Sequence, residues 1–355
     1  MVESSVDIVK LKYPNANIYF LSKDKPSKYI LNKYNAKKIL LYGSIDIGDL
    51  TLRFLKRKVF EGLFNLGGPD VEDIDLILDV NGYYIADKWS VKHSLRQLDL
   101  YKRFKKNDTR IIMMPKSFGP FNQKEKLGIF SHLLSLCDVV YARDELSFEN
   151  LNKLSLSKDI LFLSSDYTSI SKPEVDSEVL KYKDYAVIII NNRMVDGSKY
   201  SVSEYNSYID KLISILKEMK IDPVFVMHDI KRDIIYYKNY LEKEYPKIPV
   251  FYTENPLKLK GISSVSKIVF SSRYHGILNA LNTYRPVIGT SWAHKYKYIA
   301  KEYGIEKYIV SPNIDISLLR NKVNEALKGK QNHLINKDSV ILKRNDICVN
   351  ISEKL

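Results

Sequence analysis

Ten residues at positions 271–280, SSRYHGILNA, place Arg273 and His275 one residue apart where one structural element gives way to another. The apolar run Ile268-Val269-Phe270 before them suits a buried strand, and Ile277, Leu278 and Leu281 suit the inner face of a following helix. An arginine there offers a planar fork of donors matched to carboxylate or phosphate oxygens. An imidazole beside it exchanges protons near neutrality. A second polar group follows the next apolar run, where Thr290, Ser291, His294 and Lys295 stand at the start of a helical stretch. Helix starts carry unpaired N–H groups, so two of them beside these cations describe an anion site, for phosphate or carboxylate. His228, ending the strand-like VFVMH, joins the same sheet edge.

The first half has its own groups at strand ends. In VVYARDELSFENL, Asp144 suits the cap of the helix that follows, which leaves Arg143 to face a ligand. LDVNGYYIADKW carries Asp79, Asn81, Gly82 and Asp87, the candidates for holding an acceptor, together with Gly119 of MMPKSFGPF. A glycine in that loop lets backbone approach a ligand closely, although a plain tight turn would use it too. Each cation also has a bland role open to it. Arg273 would satisfy a carboxylate of the fold, His275 and His294 would cap helices, and Lys295 would be one more surface lysine.

The elements that must position these groups follow from the periodicity. Short Val- and Ile-rich runs alternate with amphipathic stretches, the pattern of βα units on parallel sheets. Strands are expected at 17–22, 38–42, 75–80, 110–114, 138–141 and 160–163, with helices at 123–136 and 145–154. In the second half YAVIII and VFVMH are strands, and so are 250–252, 267–271 and 287–289. Between YAVIII and VFVMH, Tyr208, Leu212, Ile215, Leu216 and Met219 share one helical face. The polar segment 171–184 reads as a linker between a first domain at 1–170 and a second at 185–315, followed by a helix and mixed tail at 316–355. In parallel sheets ligands bind along the carboxyl ends of the strands, where all the groups above fall.

Bulk properties narrow the class. The chain has 355 residues, 56 Lys+Arg against 42 Asp+Glu, and a formal charge of +14, which favours anionic partners. Nucleic acid has nothing beyond charge in its favour, because the tyrosines are not interleaved with basic residues as in RNA-binding sheets. No apolar run is long enough to span a bilayer, and the two cysteines sit in no metal-like spacing. The expectation is a cytoplasmic protein without metal or cofactor, whose basic surface would suit an anionic membrane face. Oligomeric state is not legible.

Taken together, FSSRYHGILNALNTYRPVIGTSWAHKY, MMPKSFGPF, YARDELSFENL and VFVMHD resemble the polysaccharide pyruvyl transferase family. The specific parts are the Arg-x-His junction, the lysine twenty residues after that histidine, and Arg-Asp-x-x-Ser at 143–147. The resemblance implies an α/β chain of two Rossmann-like domains facing each other, as in GT-B glycosyltransferases. It implies transfer of a pyruvyl group from phosphoenolpyruvate, as co-substrate, to a sugar of a polysaccharide or glycolipid precursor, forming a ketal. Arg143, Arg273, His275 and Lys295 match the positions at which the family acts on the donor. Thr290, Ser291 and His228 would complete its pocket.

The sequence departs from the family twice. The family begins with a strand and an Asn/Gly/Asp-containing loop, whereas this sequence opens on a helix-like stretch followed by a strand; either that start lies upstream or this member lacks the acidic residue, and Gly48-Asp49 stand too late to replace it. Lys116 stands where relatives have glutamine in Pro-Gln-Ser. Two other readings stay open: a nucleotide-sugar glycosyltransferase, against which the lack of a ribose-binding acid counts, and a non-catalytic carbohydrate-binding relative.

Overall fold

The structure is a computed structural model that describes residues 1–21, 28–39, 45–47, 50–52, 74–106, 108–198, 200–290, 295–329 and 337–355. The chain forms two compact units, Met1–Thr168 with Asp346–Leu355, and Ser169–Asn345.

The first unit opens with the helix Val2–Lys12, β1 (Tyr19–Leu21), the helix Lys28–Lys33 and β2 (Lys37–Ile39), which pairs parallel to β1. An antiparallel pair, β3 (Ile45–Ile47) and β4 (Leu50–Leu52), follows. Its main sheet is β5 (Leu76–Asp79), β6 (Arg110–Lys116), β7 (Val139–Ala142) and β8 (Leu161–Leu163), parallel and in that spatial order. The helices Val91–Lys105, Lys124–Ser135 and Glu145–Asn152 connect these strands. Leu98, Tyr101 and Phe104 pack with Phe130, Leu133 and Leu134 against Ile111, Met113 and Val140 in one core. The last residues of the chain close this unit, with the Tyr141 hydroxyl donating to the Asn350 carbonyl (2.8 Å) and Arg110 to that of Leu355 (2.7 Å).

The second unit carries β9 (Ala186–Ile190), β10 (Pro223–Met227), β11 (Val250–Tyr252), β12 (Ile268–Ser271), β13 (Val287–Thr290) and β14 (Ile309–Val310). All pair in parallel, in the order β11-β10-β9-β12-β13-β14. Every residue of β9 is buried, which is why AVIII reads as a continuous apolar run rather than an alternation. The expected helical face lies on the helix Val202–Glu218, with Tyr208, Leu212, Ile215 and Leu216 buried. The order places the chain's direction reversal between β9 and β12. In such sheets the crevice at that switch point is where ligands bind.

Segment 171–184, expected as a linker, is instead part of the second unit. Two of its charges and its backbone tie it to that unit. Asp176 caps the turn Ser177–Leu180 by accepting from Val179 N–H (3.0 Å) and pairs with Lys258 (2.6 Å), while Glu174 N–H donates to the Leu257 carbonyl (3.0 Å). A Cβ on Gly261 would run into the Glu174 carbonyl, so this close approach requires glycine. The expected mixed tail contains a second long helix, Lys337–Lys354, after Ile316–Leu327. Among the described residues no helix is long and apolar enough to cross a membrane.

Candidate active site

Arg273 and His275 stand where the sequence placed them. Strand β12 ends at Ser271, Arg273 is the N-cap, and His275 is the second residue of the helix Tyr274–Asn282. The junction is tight for a local reason. Ser271 Oγ accepts from Arg273 N–H (3.1 Å) and donates to the Arg273 carbonyl (2.9 Å). Gly276 lets the helix lie on the strands, since a Cβ there would strike Ser271 Oγ and come within 2.8 Å of Ile189 Cδ1. Ser272 is fixed from three sides, its carbonyl accepting from Asn191 Nδ2 (2.7 Å) and Tyr296 (2.8 Å) and its hydroxyl meeting that of Tyr205 (3.0 Å).

Arg273 spans the switch point. Its Nε donates to the carbonyl of Ile190, at the end of β9 (3.2 Å), and one Nη to the buried carboxylate of Asp233. The side chain keeps 20% exposure, and Nη1 has no partner among the described residues. One edge of the guanidinium is therefore held by the fold, and the internal carboxylate considered as its bland role does exist. Asp233 was not singled out in the sequence. Its signal was there in HDIKRD, as the second aspartate, one helical turn after Asp229.

His228 follows β10, and its Nε2 is buried without a hydrogen-bond partner among the described residues. Burial first, and then the charges of Arg273 and His275, push its pKa down to about 3. The ring is therefore neutral at physiological pH. His275 packs edge-on against the Tyr274 ring, centroids 5.3 Å apart, with its Nε2 buried. Thr290 ends β13 and is fully buried. Ser291 and His294 lie outside the described residues, as do Gly48 and Asp49. Lys295 is the first residue of the helix Lys295–Tyr303, and its side chain also lies outside what is described. The second unit thus gathers Arg273, His275 and His228 around the β9–β12 crevice.

Arg143 belongs to the first unit and departs from expectation. Asp144 does cap its helix, accepting from Ser147 N–H (2.8 Å). Arg143, however, is not left to face a ligand: it pairs with Asp166 after β8 (3.1 Å) and donates to Ser117 Oγ (2.8 Å), which in turn donates to Asp144 (3.1 Å). These contacts join the ends of β6, β7 and β8.

The acceptor-side candidates divide. Asp79, at the end of β5, is 6% exposed and closed in on every side. Lys116 pairs with it (2.6 Å), the hydroxyls of Tyr84 and Tyr101 donate to it, and so does Asn81 N–H (2.9 Å). Burial pushes the Asp79 carboxyl up, but the Lys116 ammonium and the hydroxyl donors more than offset this, so its pKa lies below the ordinary value. A carboxylate so saturated is a structural anion and does not act as a base toward a sugar. Asp87 is held through Oδ2, which accepts from Asn122 N–H (2.6 Å), while its buried Oδ1 has no hydrogen-bond partner among the described residues. Asn81 is exposed and Gly82 half-buried. Gly119 has φ of +80°, and a Cβ there would meet Asn150 Nδ2 at 2.5 Å, so the fold itself requires this glycine. Among the described residues no group of three or more His, Cys, Asp or Glu side chains is placed to hold a metal ion.

Comparison with known proteins agrees with this architecture. Residues 1–294 match the family model described as polysaccharide pyruvyl transferase. No curated protein matches the chain. Among solved structures, Anabaena HepE in complex with UDP-glucose aligns over 99% of this chain and 95% of its own, with TM-score 0.59 at 11% identity. MnaA of S. aureus with UDP aligns over 94% and 87% (TM-score 0.56, 11% identity), and a glycosyltransferase from Rickettsia africae over 98% and 89% (0.56, 14%). At such identities these likenesses speak for the fold alone, an α/β chain of two Rossmann-like units as in GT-B enzymes.

Proposed function

This chain belongs to the polysaccharide pyruvyl transferase family, and we propose that it transfers the pyruvyl unit of phosphoenolpyruvate to a sugar hydroxyl. The family implies a transferase with a sugar or polysaccharide acceptor. The observation that carries the donor assignment is Arg273, held by one edge at the β9–β12 switch point with His275 in the adjacent helical turn. A small trianion needs a fork of donors for its carboxylate or phosphate, and a helix start for the remaining oxygens. The switch-point crevice supplies both.

The chemistry balances with these groups. A proton adds to the methylene carbon of the enol, the sugar oxygen bonds to the neighbouring carbon, and the C–O bond to phosphate then breaks. A second hydroxyl of the same sugar closes the ketal. Of the two hydroxyl protons, one ends on the new methyl group and the other leaves with phosphate. His275 is the proton carrier of this reading, Arg273 the oxyanion clamp, and the neutral His228 a hydrogen-bonding neighbour. Lys295 would add a cation from the helix after β13.

Phosphate release from phosphoenolpyruvate, with a panel of sugar acceptors, tests the proposal. His275→Ala is expected to lower the rate about 10²- to 10⁴-fold. Unchanged rates in both His275→Ala and Arg273→Ala would remove the assignment.

A further inference from the structure

We propose that Asp233 is the positioning residue of the donor site, fixing the Arg273 fork and the ends of three strands in the geometry that receives the donor's oxyanion. This rests on the phosphoenolpyruvate reading above for its ligand, but the placement of Arg273 by Asp233 stands apart from it.

Asp233 is fully buried on the first helical run after β10, Ile230–Tyr236. Its Oδ1 accepts from an Nη of Arg273 and from Asn192 N–H (3.1 Å). Its Oδ2 accepts from the N–H groups of His228 (3.2 Å) and Asp229 (2.9 Å). Asn192 follows β9, His228 and Asp229 follow β10, and Arg273 follows β12. One carboxylate therefore ties together the three strand ends that flank the switch point.

Two physical points favour positioning over a direct chemical role. A carboxylate has about four lone-pair sites, and four donors occupy those of Asp233, so none remains for a substrate proton. Moreover, an aspartate beside Arg273 cancels charge that an anion site would otherwise use. A fold selected only for attraction would leave it out. What the pair supplies is direction: an arginine tethered by a long flexible stem is fixed before the ligand arrives, so less rotamer freedom is lost on binding. The same carboxylate sets the backbone that carries His228, one of the polar groups beside the fork.

The test is titration of phosphoenolpyruvate into the unmodified protein, Asp233→Asn, Arg273→Lys and the double variant, with thermal unfolding of each. Asparagine keeps the shape but turns one acceptor into a donor facing other donors. Its Kd is expected to rise about 10- to 100-fold, the scale of a hydrogen bond to a charged group. If Asp233 acts through Arg273, adding Asp233→Asn to Arg273→Lys weakens binding by less than about threefold further, since coupled residues are not additive. A Kd within about twofold of the unmodified protein in a folded Asp233→Asn, or full additivity in the double variant, overturns the proposal. Should Asp233→Asn fail to fold, ¹⁵N NMR of arginine Nε–H groups in the unmodified protein decides: a rigid Arg273 supports the inference, and a rotationally averaged one overturns it. Absence of phosphoenolpyruvate binding by the unmodified protein would count against the functional reading instead, and the arginine spectrum would still decide the role of Asp233.

Discussion

Replacing Lys116 by methionine tests the account of the first unit, because it removes one partner of an enclosed ion pair while preserving much of the side chain's length. The Lys116 side chain is 1% exposed and that of Asp79 5%, with 2.6 Å between Nζ and Oδ1. Breaking a buried pair from one side costs roughly 3–5 kcal/mol, because the remaining charge is stranded. Here Tyr84, Tyr101 and Asn81 N–H still donate to Asp79, which sets the expectation at the low end, about 3 kcal/mol. A two-unit chain does not unfold as one cooperative block, so the local readout is hydrogen exchange of the β6 amides. At 1.4 kcal/mol per tenfold, exchange from the globally opened first unit should quicken about 150-fold. The pH dependence has a definite sign. In the unmodified protein the lowered Asp79 pKa makes its contribution complete above the unfolded value of about 3.9 and lost only as pH falls through the folded value beneath it. Without the ammonium, burial, the largest influence on this carboxyl, pushes its folded pKa up, so the variant gains stability as pH falls toward the unfolded value of about 3.9 and the gap to the unmodified protein narrows. Acceleration below about fivefold, or a gap that does not narrow, would refute the reasoning. The paired variant Asp79→Leu/Lys116→Met should recover most of the loss, since the two tyrosine hydroxyls still bond each other (3.0 Å).

Other expectations follow from the second unit. Gly276→Ala forces the helix Tyr274–Asn282 away from Ser271 and Ile189; it should cost about 1–3 kcal/mol by thermal unfolding and weaken phosphoenolpyruvate binding, because Arg273 moves with the helix start. His228, with a folded pKa of about 3, should show no imidazole shift in NMR between pH 5 and 8. Its depressed value makes it a source of instability as pH falls from about 6.5 toward 3, so His228→Asn should flatten the acid limb of unfolding curves.

Much of this was legible from periodicity. Strand β11 falls at 250–252 as expected, and β12 and β13 lie within a residue of their expected bounds, because buried parallel strands are unbroken apolar runs. Reading failed where a residue type has two uses. Pro115 suggested that β6 stops at Met114, yet the strand continues to Lys116. Its register shifts between Met113 and Lys116, so the missing N–H falls where the ladder is already interrupted. The charged segment 171–184 resembled a solvated linker, but Asp176 caps a turn and pairs with Lys258 within the second unit. The helix Val91–Lys105 was not anticipated, although Ser90 caps it by accepting from His93 N–H (3.2 Å). Strand-end placement put Arg273, His275 and His228 just after the carboxyl ends of β12 and β10, where the structure has them. It could not identify Asp233, Asp166 or the Lys116–Asp79 pair, because which cation meets which carboxylate depends on the spatial order of strands.

Calorimetric titration of phosphoenolpyruvate into the unmodified protein and Arg273→Ala, alongside a panel of UDP-sugars, tests the central claim most directly. The account expects saturable binding of phosphoenolpyruvate at a single site, weakened at least tenfold by the substitution, and no comparable heat from the UDP-sugars. Tight UDP-sugar binding with no response to phosphoenolpyruvate, or equal phosphoenolpyruvate affinity in both proteins, would contradict it.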